Sequence, residues 1–147
     1  MSQAIFDAIV LGTGGIGSAA LFQLARRGQR VLGIDQFTAG HDRGSSHGET
    51  RVIRKAYFEH PNYVPLLQRA YENWAELERL SGHQVFFRTG ILEIGPPDGI
   101  LVPGVRAAAE RYRLPLEELA PADVARRYPD FHLPKGQVAL FEADGGY

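Results

Sequence analysis

Residues 8–11, Ala-Ile-Val-Leu, form an unbroken apolar run, and Val31-Leu32-Gly33-Ile34 form a second one. Short apolar runs bounded by turn residues predict strands. Between them Leu21, Leu24 and Ala25 recur at helical spacing, which predicts a helix from Ser18 to Gly28 with that stripe facing a sheet. Arg26 and Arg27 lie in its last turn, where cations favour the helix dipole, and Gly28 supplies a left-handed stop. Further on, Leu67, Tyr71, Trp74, Leu77 and Leu80 repeat at the same spacing. They predict a long helix from Pro61 to Leu80, stopped at Ser81-Gly82, with Tyr71 and Trp74 in the core. Val85–Arg88 and Ile91–Ile94 predict two strands meeting in a hairpin or bend at Thr89-Gly90. A loop over Gly95–Gly99, a short helix over Val105–Tyr112 and a strand over Leu116–Leu119 follow. Pro121 opens a short helix ending near Tyr128-Pro129, and Val138–Phe141 is the last predicted strand.

The turn after the first strand reads Gly12-Thr13-Gly14-Gly15-Ile16-Gly17, and Asp35 closes the second strand. A lone G-x-G-x-x-G is weak evidence. One that follows a strand, opens a helix and is followed by an acid about 20 residues on points to a dinucleotide site, against an ordinary glycine-rich βαβ turn. Gly12 permits the sharp turn, Gly14 leaves room for a pyrophosphate against the backbone, and Gly17 permits close helix–sheet packing. The helix N-terminus offers unpaired N–H groups to phosphate. Asp35 accepts from a ribose hydroxyl pair, which suits FAD or NAD and repels the extra phosphate of NADP.

Composition narrows the classes. Sixteen basic and 17 acidic residues give a net charge of −1. With no basic tract, nucleic acid is not an expected partner. There is no cysteine, which excludes disulfides, thiolate catalysis and cysteinyl flavin attachment within this chain. Residues 9–25 carry no charge, but four glycines with Thr13, Ser18 and Gln23 argue against a membrane span. Met1-Ser2-Gln3 lacks a positive region and Asp7 precedes the apolar run, so no signal peptide is expected. The expected setting is soluble and cytoplasmic. His41, Asp42, His47 and Glu49 match no zinc spacing, so no metal is expected, and His60, His83 and His132 read as solvated. The polar stretch Gln36–Thr50 is long for an internal loop, which marks it as functional. From charge pattern alone, Arg51 and Arg54 read as surface residues paired with Glu49 and Glu59. On a helical turn the two arginines would share one side.

The run Gly44-Ser45-Ser46-His47-Gly48-Glu49-Thr50-Arg51-Val52-Ile53-Arg54-Lys55-Ala56-Tyr57 reverses that reading. Together with the glycine-rich turn it resembles the sarcosine oxidase and N-methyltryptophan oxidase family of FAD-dependent amine oxidases. Tyr63-Val64-Pro65-Leu66, Trp74 with Glu76-Leu77-Glu78, and Thr89-Gly90-Ile91-Leu92 look similar as well. The resemblance covers all 147 residues but only the first part of the family's length.

The resemblance implies an α/β fold: a Rossmann-type, glutathione-reductase-like FAD-binding unit, then the first part of an α+β substrate domain. Residues 1–80 would be the start of the FAD-binding domain and 81–147 the start of the substrate domain, an incomplete fold open to self-association. It implies oxidation of a secondary amino acid to an imine, with oxygen taking the electrons as hydrogen peroxide. Arg54 would grip the substrate carboxylate, Arg51 would sit against the flavin ring, and His47 would lie nearby. A fixed guanidinium favours the negative charge of a reduced flavin, and a second suits a planar carboxylate. The cofactor set would be Gly12, Thr13, Gly14, Gly15, Ile16, Gly17, Asp35, Gln36, Gly44, Ser45, Ser46, Thr50 and Arg51. Two departures stand out: no cysteine is available to hold flavin, and Lys55 and Lys135, the two lysines present, match no oxygen-activating role. A non-catalytic nucleotide-binding fragment or pseudoenzyme and, further off, an NAD-dependent dehydrogenase remain as alternatives.

Overall fold

The structure is a computed structural model that describes residues 5–48 and 50–147. The chain forms two compact units, residues 1–50 and 51–147. Glu49, named above as a candidate arginine partner and metal ligand, lies outside the described residues, as does the start Met1-Ser2-Gln3.

The first unit is a strand–helix–strand. β1 (Ala8–Leu11) runs parallel to β2 (Val31–Ile34), with Ala8 opposite Val31 and Leu11 opposite Ile34. α1 (Gly15–Arg26) connects them. It starts three residues before the predicted Ser18, because the end of the glycine run is already helical behind Gly14 as N-cap. At its far end Gly28 is left-handed (φ 81°) and donates its N–H to the Ala25 carbonyl at 2.9 Å, the predicted stop. Leu21 and Leu24 are half-buried against the sheet, whereas Ala25 is exposed and drops out of the predicted stripe. A two-stranded sheet covered by one helix leaves apolar side chains uncovered, among them Leu11 at 79 % exposure.

The second unit is built on an antiparallel sheet. Its order is β3 (Ile91–Gly95), β5 (Val138–Glu142), β4 (Glu117–Leu119). Side chains alternate between faces, so the register sorts them. Glu93 opposite Leu140, and Ile91 opposite Glu142, share one face. Ala56, Val102, Val105 and Leu140 form the core on that side, under α3 (Leu101–Tyr112). Leu92, Ile94, Ala139, Phe141 and Leu119 pack on the other side with Val124 of α4 (Pro121–Arg127). α3 begins earlier than the predicted Val105 and takes in Pro103-Gly104. Proline is tolerated in a first turn, where its missing N–H has no intrahelical partner anyway.

The predicted helix over Pro61–Leu80 is a 3-10 turn, Pro61–Tyr63, followed by α2 (Val64–Ser81) with left-handed Gly82 (φ 71°) as its cap. Tyr71 is buried edge-on to Phe86 at 5.2 Å. Trp74 is half-buried, and Leu77 and Leu80 face outward, so the stripe is only partly core. Of the hairpin or bend expected at Thr89-Gly90, the hairpin does not form. Residues 85–88 are not a strand, and Phe87 instead exchanges backbone hydrogen bonds with Tyr147 (2.7 and 3.1 Å) under stacked rings. The partner of β3 is β5, because the turn at Gly90 (φ 77°) donates its N–H to the Gly145 carbonyl and carries the chain away from itself. Among the described residues, no helix is long and apolar enough to cross a membrane.

Candidate functional site

In the first unit, local rules build an anion cradle. Leaving β1, Gly12 adopts φ +86°, a conformation that favours glycine, and its N–H reaches the Ile34 carbonyl at 2.8 Å. The chain then enters α1 through Gly14. Ser18 N–H closes the first turn on the Gly14 carbonyl at 2.9 Å, so the N–H groups of Gly15, Ile16 and Gly17 precede any intrahelical partner. No acidic residue occupies that first turn. Ser46 Oγ accepts from Gly15 N–H at 3.3 Å, an oxygen standing where an anion's oxygen would stand. A Cβ on Gly14 would meet nothing within 4 Å, whereas one on Gly17 would overlap the Gly12 carbonyl. Gly14 thus faces open space and Gly17 holds the helix against the turn.

Asp35, at the end of β2, is knitted into the same turn. Its Oδ2 accepts from Thr13 N–H at 2.6 Å and from the Thr13 hydroxyl at 3.2 Å, and its Oδ1 from Phe37 N–H at 3.1 Å. His41 Nε2 stands 3.5 Å from Oδ1. The Thr13 N–H first, then that of Phe37, pull the carboxyl down to about 2 against the opposing effect of burial, with smaller help from the Thr13 hydroxyl and His41. Asp35 is therefore a carboxylate at neutral pH.

A cavity of about 640 Å³ opens beside the cradle. Of the residues expected from sequence, Thr13, Gly14, Gly15, Gly44, Ser46 and His47 line it. His47 is tied back by a hydrogen bond from its Nδ1 to the Gly44 carbonyl. Gly12, Gly17 and Asp35 stand behind the wall as supports, Ile16 is 90 % exposed, and Gln36, Ser45 and Thr50 are exposed outside it. The wall also includes Ser18, Ala39, Gly40, His41, Asp42 and Gly48, which sequence reasoning did not assign to cofactor. For most of these no spacing signal exists. Their membership in the long polar stretch after Asp35 was the available hint.

Gly14→Val is expected to abolish adenine-nucleotide binding while leaving the melting transition near that of the parent. The Gly14 backbone (φ −66°) is open to side chains, and the added methyls would project into the cradle. Equilibrium dialysis together with thermal denaturation checks both halves.

In the second unit, the arginine run is not helical. Ile53 forms an antiparallel bridge with Gly146, and Arg51 and Arg54 do not share a helical side. Arg51 is exposed. Arg54 is not a surface arginine: its side chain is 19 % exposed, over the rings of Tyr57 (4.6 Å) and Phe58 (5.4 Å). Glu93 Oε1 lies 3.3 Å from its Nε and Glu59 Oε2 3.7 Å from its Nη2. The partnership with Glu59 was legible in sequence; that with Glu93, 39 positions away, was not. Glu142, 2 % exposed, accepts from Lys55 N–H at 2.7 Å and Ala56 N–H at 2.8 Å, and so staples this segment to the sheet. Lys55 itself pairs with Asp144 at 2.6 Å. The available signal for Glu93 and Glu142 was an acid at an inward position of an apolar strand.

Comparison with known proteins gives a consistent picture. The family described as DAO, FAD dependent oxidoreductase, matches residues 7–147. A monomeric sarcosine oxidase of Streptomyces avermitilis is 45 % identical over 141 residues, which cover 96 % of this chain and 37 % of that protein. An N-methyl-L-tryptophan oxidase of Yersinia pestis is 38 % identical over 142 residues, covering 97 % of this chain and 38 % of that protein. Among solved structures, NikD, an unusual amino acid oxidase of nikkomycin biosynthesis, superposes with a TM-score of 0.81 at 27 % identity, over 96 % of this chain and 37 % of that one. The chain thus spans somewhat over a third of the length of these relatives.

Proposed function

Because this chain belongs to the DAO family of FAD dependent oxidoreductases, we propose that it carries the phosphate loop, ribose acid and arginine segment of an amine oxidase that converts a secondary, N-methyl amino acid to an imine. The observation that carries the cofactor assignment is the start of α1, where backbone N–H groups and the open face of Gly14 meet one cavity, with the ionised Asp35 behind its wall, bonded to the lining residue Thr13. These residues fit the adenosine and pyrophosphate part of FAD: Gly14 and Gly15 would take phosphate, and Asp35 has carboxylate character for ribose hydroxyls. FAD, when bound, supplies the two-electron acceptor that takes the amine to the imine and passes the electrons to oxygen as hydrogen peroxide.

The chain's own residues orient and charge the site. Arg54 binds the substrate carboxylate, Arg51 favours negative charge on the flavin ring, and His47 completes the proposed catalytic set. Residues 1–80 belong to the Rossmann-type cofactor domain and 81–147 begin the substrate domain, in a cytoplasmic protein whose partners are a small amino acid and oxygen. The names of the sarcosine and N-methyltryptophan oxidase relatives support this substrate class.

A visible spectrum of the purified protein tests the reading. Flavin bands bleached anaerobically by an N-methyl amino acid are expected. A colourless, NAD-binding protein would make it a dehydrogenase, and no nucleotide binding at all would leave only a non-catalytic fragment. Arg54→Ala should weaken the binding of carboxylate-bearing amines by about 2–4 kcal/mol, since a desolvated charge pair is lost. Inhibition titrations check this, and unchanged affinity for a carboxylate inhibitor would remove Arg54 from the binding role.

A further inference from the structure

Arg54 arrives at its proposed task already engaged, and the engagement is unusual. Glu93 is 7 % exposed, on a sheet face it shares with Ile91, Val138, Leu140 and the buried Glu142. Its Oε1 touches the guanidinium edge at 3.3 Å. Yet Arg54 Nε and Glu93 Oε2 are both buried without a hydrogen-bond partner. The pair is close but misaligned, and no two-pronged Arg–carboxylate fork is formed with Glu93 or with Glu59 at 3.7 Å. The rings of Tyr57 and Phe58 hold the guanidinium in place independently of either acid. Arg54 therefore keeps donors for a better-shaped carboxylate.

We propose that Glu93 is a positioning residue that competes with the substrate carboxylate for Arg54, so that carboxylate ligands bind with uptake of a proton by Glu93. The inference rests on the proposed role of Arg54. In its ionised form Glu93 neutralises the guanidinium; once protonated, it leaves the charge to the ligand. A ligand carboxylate on Arg54 in turn favours the neutral form of Glu93, which is the reciprocal side of the same linkage.

The surroundings set where this exchange occurs. Burial pushes the Glu93 carboxyl up to about 7, Arg54 opposes the rise, and the acids Glu142 and Glu59 add to it. Three other charged groups near this segment and on the packed elements have partners of their own. Glu142 of β5 holds the Lys55 and Ala56 N–H groups, Lys55 is paired with Asp144, and Arg106 of α3 is paired with Glu118 at 2.6 Å. Because the Glu93 carboxyl titrates high in the folded protein, carboxylate affinity is greatest below about pH 7 and falls as pH rises through that value.

Calorimetric titration of the FAD-loaded protein with acetate, in buffers of different ionisation enthalpy, measures affinity and proton uptake together. The expected result is a dissociation constant rising by up to about tenfold per pH unit above neutrality, with uptake approaching one proton there and vanishing in mild acid. Glu93→Gln should bind acetate with a flat pH profile and no uptake. If that variant does not fold, Glu93→Met removes the acid at similar volume and serves the same comparison. Absent uptake in the parent protein, or a pH profile unchanged in the Glu93 variant, overturns the inference. Arg54→Gln separates the two ideas. Loss of acetate binding there upholds the carboxylate role whatever Glu93 does, and acetate binding retained at parental strength overturns that role and this inference with it.

Discussion

Glu142→Ala is expected to destabilise the second unit by about 2–5 kcal/mol, the sum of one buried and one part-buried N–H group left without an acceptor. Glu142 is 2 % exposed at the end of β5, and each carboxylate oxygen is occupied by one backbone donor, Lys55 N–H on Oε1 and Ala56 N–H on Oε2. The segment it holds contains Arg54 and buries Ala56 completely. The lost bonds therefore release the arginine segment from the central strand of the sheet. Glu142→Gln should show a smaller loss. It keeps one acceptor oxygen but turns an amide N–H₂ toward a donor, so one of the two bonds fails. Glu142→Leu restores volume without acceptors and should resemble the alanine variant. Urea denaturation followed by far-ultraviolet dichroism reads these differences, and an alanine variant within about 0.5 kcal/mol of the parent would show that the staple is dispensable.

Gly17→Ala should abolish cofactor retention and destabilise the first unit by about 3 kcal/mol or more, as overpacking does when the neighbour cannot yield. The added Cβ would overlap the carbonyl of Gly12, with Val10 Cγ1 behind it at 3.3 Å. Gly12 cannot easily retreat: it sits at φ +86° and its N–H is bound to Ile34 at 2.8 Å. The contrast with Gly14→Val is the informative part. Both glycines belong to one motif, yet one substitution should break the turn and the other should only fill the cradle. Flavin content and thermal denaturation of the two variants side by side check this. An alanine at position 17 that retains flavin and the parental melting transition would mean that the helix is not held by this contact.

The βαβ unit could be read from the chain because all its signals are short-range. The apolar runs, the glycines at their offsets and Asp35 act within one strand, one turn and the next strand. The structure places them together through Thr13 N–H on Asp35 and Gly12 N–H on Ile34. The stops at Gly28 and Gly82 were legible for the same reason, since a left-handed cap is decided by the residue itself (φ 81° and 71°). Element existence was legible through most of the second unit too: the helix through Tyr71, the short helix opened at Pro121 and the strand at Val138–Phe141 all lie within the elements described.

Strand pairing, by contrast, was decided by tertiary structure. An apolar run announces a strand but not its neighbour, and β3 found β5 across more than forty residues rather than Val85–Arg88 across a two-residue turn. The arginine segment went the same way. Three-residue spacing suggested a helical side, but the Ile53 bridge to Gly146 and the Glu142 carboxylate hold that stretch non-helical, and both partners come from the far end of the chain. Local sequence determined the glycine-rich turn, the acid bonded to it and the identity of the arginines, because backbone conformation and charge type are properties of neighbouring residues. What surrounds Arg54, the buried Glu93 and the two aromatic rings, depended on tertiary packing. Burial and ion pairing belong to residues brought together from distant positions, and no periodicity along the chain encodes them.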